Sequence, residues 1–182
     1  MSEVMLCAAL PGGDLERLMR RWGIEVRRVD PGLPIPGSHW GAPEAGMLAG
    51  VLYVRDDTPV HSALHEGCHL ICMGPERRSV VDTDAEGDEI EECAVCYLQI
   101  VLAYEFDGVG SDRSMRDMDE WGYSFRLGST RAWFENDAED GRRWLEQRGL
   151  LRAGQPAVPP VDAGVDAASS GTGDGTSIDA TA

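Results

Sequence analysis

Thr58 and Pro75 bracket the segment that most constrains this chain. Thr58 suits a helix N-cap and Pro59 the first turn, while Gly74 and Pro75 stop the helix after Met73. Inside it, His65-Glu66-Gly67-Cys68-His69 forms an HExxH pattern. Residues i and i+4 lie one turn apart on one helix face, so both imidazoles can converge on a single metal ion. Zinc held by two neutral imidazoles needs at least one further protein ligand, and another element has to supply it. The next helix opens with Glu89, Glu91 and Glu92, which offer three choices. Glu66, about 100° round the helix from His65, can reach a metal-activated water and take its proton during attack on a carbonyl. His61, one turn before His65, is read as a partly exposed polar residue in preference to an extra ligand or a substrate-orienting group.

The elements around this helix follow from periodicity and punctuation. Asp14 is placed to cap a short helix through Leu15, Leu18, Met19 and Trp22, which Gly23 ends. Ile24, Val26 and Val29 alternate like a half-buried strand, Pro31, Pro34 and Pro36 break it, and 30–46 reads as a loop. Val51-Leu52-Tyr53-Val54 is a second strand, and 74–87 a polar loop. A long helix is expected from Asp88 to about Phe106, with shorter ones near 113–121 and 138–148, and Trp121, Trp133 and Trp144 as core aromatics. The expected fold is a single α+β domain over 1–152, with a small, mostly antiparallel sheet packed against the HExxH helix and the long helix after it. Strand 51–54 should lie at the sheet edge near the metal, where an extended peptide could add as a further strand.

Residues 153–182 are Ala, Gly, Pro, Ser, Thr and Asp with almost no large apolar side chains, and read as a disordered acidic tail. With its four Asp set aside, the body keeps 28 acidic residues against 16 basic ones, all Arg, for a net charge of -12. Such a surface repels a phosphate backbone, so direct nucleic-acid binding is not expected. No apolar run reaches membrane-span length and no signal-peptide pattern opens the chain, which points to a cytoplasmic protein without membrane association. Cys7, Cys68, Cys72, Cys93 and Cys96 are odd in number and four lie in helical patterns, as reduced core thiols would.

Strand 51–54, the turn Asp56-Asp57-Thr58-Pro59, the HExxH helix and Glu91-Glu92-Cys93-Ala94-Val95-Cys96-Tyr97-Leu98 together resemble the small gluzincins of the ImmA/IrrE type, over roughly Leu15 to Leu102. The resemblance implies a zincin-like metallopeptidase domain that uses Zn2+ and acts on protein substrates, often transcriptional repressors. In this family a Glu, two residues, Ala, Asn or Asp, one residue and an aromatic supply the third ligand. Aligning Ala94 and Tyr97 with that pattern implies His65, His69 and Glu91 as the metal ligands and Glu66 as general base. The chain departs from the family at Val95, where an Asn or Asp usually supports a metal-ligating His, and at Gly67-Cys68, which replaces a residue followed by Gly. With no DNA-binding domain in this chain, a repressor target would be a separate protein.

Two other readings compete. The same scaffold could be a non-catalytic metal-binding or protein-interaction module. Alternatively, Cys93 and Cys96 could join the histidines in a structural Cys/His zinc site, leaving Glu66 idle. For stabilisation of the oxyanion formed in hydrolysis, Tyr104, Tyr123 and His39 are all candidates.

Overall fold

Proline and glycine set most of the element boundaries in the computed structural model, which describes residues 4–157. Helix α1 (Asp14–Arg21) starts from Gly13 in a left-handed conformation rather than from an Asp14 cap. Strands β1 (Glu25–Arg28), β2 (Gly46–Leu48) and β3 (Val51–Val54) form one sheet in the order β1-β3-β2. Its pairing is mixed: β1 runs parallel to β3, and β2 runs antiparallel to it. The expectation of a mostly antiparallel sheet is thereby corrected. The long connection after β1 carries the chain past the place β3 will take, and the β2–β3 hairpin then folds back beside β1.

β3 is therefore the central strand, not the edge. The edge strand β2 lay in and just beyond the segment expected to be a loop, and its outer side is also in use. Ala49 donates its N–H to Val81 O at 2.8 Å, and Thr83 donates to Met47 O at 3.1 Å. On the same side Met47 donates to Gly37 O at 3.2 Å. A Cβ at Gly46 would stand 2.2 Å from Pro36 O, so the loop lies directly on the strand and only glycine fits. With β3 paired on both sides, the peptide addition expected from an edge position of 51–54 has no free edge at that strand.

Thr58 holds the turn into α2 (Val60–Cys72) rather than capping it: its Oγ1 accepts the Arg55 N–H at 2.9 Å, and Pro59 stands at the N-cap. A short α3 (Pro75–Val80) follows within the expected loop. Asp88 caps α4 (Glu89–Ala103) by accepting the Glu91 N–H at 2.8 Å. Helices α5 (Gly110–Trp121), α6 (Thr130–Asn136) and α7 (Glu139–Gln147) lead to a hairpin of β4 (Leu151–Arg152) and β5 (Gln155–Pro156). That hairpin carries the folded body past the expected boundary at Arg152. The rest of the expected tail, 158–182, lies outside the described residues. Among the described residues the fold is α+β, with seven α-helices and a small mixed sheet but no barrel. None of its helices is long and apolar enough to cross a membrane.

The core explains why α2 and α4 face each other. Leu64, Cys68 and Leu70 of α2 are fully buried with Ala94, Val95, Leu98 and Leu102 of α4, over Leu52 and Val54 of β3. Each such side chain taken from water contributes about 1.5–3 kcal/mol for the larger aliphatics, so this contact sets the relative position of the two helices. Gly67 answers the altered glycine position of the HExxH motif, since a Cβ there would stand 2.5 Å from Met19 Cε of α1. Behind α4, α7 approaches so closely that a Cβ at Gly141 would meet Cys93 O at 2.7 Å.

Candidate metal centre

On α2, His65 and His69 turn the same way: their Nε2 atoms are 3.2 Å apart and their rings stand edge to face. The carboxylate that meets them comes from the first turn of α4 and belongs to Glu92. Its Oε1 lies 3.4 Å from His65 Nε2 and its Oε2 3.3 Å from His69 Nε2. Zinc–nitrogen bonds of about 2.0–2.1 Å in a tetrahedral site place neighbouring donors about 3.3 Å apart, and these separations fit that requirement. Among the described residues, His65, His69 and Glu92 are the one group of three or more potential ligands close enough to share an ion.

Glu91 points elsewhere. Only 7% exposed, it forms a two-pronged ion pair with Arg77, one contact being Nη1 to Oε2 at 3.0 Å. Arg77 is itself held by Ala85 O at 2.8 Å. The acidic side chain beside the imidazoles is thus one residue later than the family pattern implied. One step along a helix is about 100° of rotation, and burying Val95 and Leu98 against α2 leaves Glu92 on the histidine side.

Gln99, buried in the middle of α4, was not among the sequence candidates. His65 Nδ1 donates to its Oε1 at 2.8 Å. That bond fixes the tautomer in which a neutral His65 presents a bare Nε2 lone pair towards Glu92 and His69. Glu92 and Gln99 are i and i+7, two turns apart on one stripe of α4, and grip the two sides of the same ring. The support missing at Val95 is therefore supplied by Gln99. Cys96, between them on that stripe, donates its thiol to Glu92 Oε1 at 3.7 Å.

Electrostatics keep Glu92 ionised and His65 neutral, as metal ligation requires, but favour the proton on His69. Burial alone would raise the Glu92 carboxyl, but the His69 hydrogen bond and the charges of both imidazoles outweigh it and hold the group at about 2. Burial, with His69 beside it, lowers His65 to about 4. Burial also opposes a charge on His69, yet the hydrogen bond and charge of Glu92 overcome it and raise that imidazole. Glu66 is pushed up to about 7, mainly by burial and further by Glu92, Glu44 and Asp84, with His69 opposing. A carboxyl poised near neutrality is suited to proton transfer.

The remaining candidates separate by position. Tyr123 lines a cavity shared with His65 and Glu66, its ring centroid 5.7 Å from that of His65, and burial keeps its phenol protonated well above the ordinary range. His39 lines a neighbouring space together with His65, Glu66, His69 and Glu92. Tyr104 caps the far end of α4 and is 78% exposed, so it takes no part. Trp133 and Trp144 are core residues as expected, whereas Trp121 is a wall of the cavity. All five cysteines are free, and none joins His65 and His69 in a group able to share an ion. That removes the geometric basis for a structural Cys/His site.

His61 is 2% exposed rather than partly exposed, and neither ring nitrogen has a hydrogen-bond partner. Burial, aided by the charge of His65, lowers it to about 3. Well above pH 6.5 the ring is neutral in both folded and unfolded chains. Below that, the unfolded chain binds a proton that the folded chain refuses, so stability falls with pH down to about 3. At pH 5 this single group should cost about 2 kcal/mol relative to pH 7. Urea unfolding of wild type and His61→Leu at the two pH values checks it: the variant should lose about that much less, and equal losses would show that His61 is not buried neutral.

No family model, no curated protein and no solved structure matches the chain.

Proposed function

We propose that the protein is a zinc-dependent metallopeptidase of zincin-like, gluzincin type, which hydrolyses peptide bonds of a separate protein. His65, His69 and Glu92 are its metal ligands and Glu66 its general base. The observation that carries the reading is the convergence of two Nε2 atoms and a carboxylate at 3.2–3.4 Å, with Glu66 beside them at the wall of a cavity. Zinc there would acidify a water molecule and polarise a substrate carbonyl.

The chain's own residues supply the rest. Glu66 takes the proton of the attacking water and passes it to the departing amine. The Tyr123 phenol is the donor best placed to stabilise negative charge on the carbonyl oxygen. Gln99 keeps His65 in the ligating tautomer, and Cys96 steadies Glu92.

Removing metal tests the proposal. Full-length protein should cleave members of a mixed peptide library, lose that activity completely on chelation and dialysis, and regain it with one equivalent of zinc. A chain that holds one zinc yet cleaves nothing would favour the non-catalytic metal-binding module. Cleavage that survives removal of the metal would overturn the assignment.

A further inference from the structure

Beside the donor set lies a cavity of about 420 Å³, within the roughly 300–1,000 Å³ range of ligand pockets. Trp40, Trp121 and Tyr123 provide aromatic walls, and Glu44 stands among them. Glu44 is fixed there by Trp121, whose Nε1–H donates to Glu44 Oε1 at 2.8 Å from a position 77 residues away. No Arg lines this space, although the chain carries 16. His61 also lines it, almost wholly buried and with both ring nitrogens unbonded.

A buried polar ring without partners is uncommon in folded proteins and calls for an explanation. The surrounding chemistry supplies one. Aromatic faces with a carboxylate beside them attract a planar cation by stacking and by charge. A neutral imidazole can accept one of its N–H groups, which satisfies a nitrogen that the chain itself leaves idle. The net acidic body adds a field that draws cations in.

The geometry points to this cavity as the subsite for an arginine side chain of the peptide substrate, next to the bond to be cut, with Glu44 as its ion partner and His61 as an acceptor. This rests on the peptidase reading for the word substrate, but the binding chemistry stands by itself. A large apolar side chain would use the same rings without needing Glu44 or His61. Such a side chain is the competing occupant.

The experiment uses the zinc-loaded full chain and three probes, N-acetyl-arginine amide, N-acetyl-citrulline amide and N-acetyl-leucine amide, titrated with tryptophan fluorescence as the readout. Digestion of a peptide library, read by mass spectrometry, runs in parallel. The arginine amide should bind at least about tenfold more tightly than the uncharged citrulline amide. Glu44→Gln retains the bond from Trp121 and should abolish most of that difference without changing zinc content. His61→Leu keeps the wall apolar and should weaken the arginine amide by about threefold or more. Equal binding of arginine and citrulline, or tightest binding of the leucine amide, overturns the subsite. A library cleaved without arginine flanking the cut also overturns it while leaving the peptidase intact. Arginine discrimination in binding, with no cleavage of any peptide, supports the subsite and defeats the peptidase.

Discussion

Glu92→Ala is expected to weaken zinc binding by more than about 100-fold, because even outer partners of a metal ligand are worth about 10–100-fold and the proposed role of Glu92 is that of a ligand itself. Its side chain is half exposed at the start of α4, so little stability should go with it. Glu91→Ala gives the opposite pattern. That carboxylate is buried and paired with Arg77, and its loss should cost about 1–3 kcal/mol of stability while zinc affinity stays within a few-fold. Competition against a fluorescent zinc chelator, together with thermal unfolding of both variants, separates the two residues. Loss of zinc from Glu91→Ala with retention in Glu92→Ala would reverse the assignment.

Glu66→Gln should lower turnover by about 10²–10⁴-fold, the range typical of a general base, and leave zinc affinity unchanged. The amide is close in shape to the carboxyl and, in a place where burial already disfavours the charge, should fold at least as well as wild type. Steady-state cleavage and zinc content of the same preparation give the answer. An unaltered rate would mean that Glu66 moves no proton in the reaction. A lost rate accompanied by lost zinc would mean that the residue supports the site instead.

These expectations draw on different depths of the sequence. The approach of His65 to His69 follows from helical spacing alone, and the limits of α2 and α4 follow from Pro59, Gly74 and Asp88, which act locally. The third carboxylate was harder, since three acidic residues in one turn differ only in rotation, and rotation is settled by which apolar side chains the partner helix buries. A signal for the register was nonetheless present. Gln99 is a lone amide in the apolar run from Ala94 to Ala103, two turns from Glu92, and a buried amide needs a partner.

The sheet was less legible because its edge strand is three residues long, begins with glycine and follows a proline-rich loop. The parallel pairing of β1 with β3 is a long-range outcome that no local pattern encodes. The burial of His61 is illegible for a related reason. Its place near a helix start suggested solvent, whereas Trp121 and Tyr123, some sixty positions later, fold over it.

X-ray absorption at the zinc edge of the loaded, full-length chain tests the central claim most directly. Two imidazole nitrogens with the remaining positions filled by oxygen, at about 2.0–2.2 Å and with no sulfur, is the expected shell. Sulfur scatterers at about 2.3 Å, or a zinc that binds with fewer than two imidazoles, would contradict it.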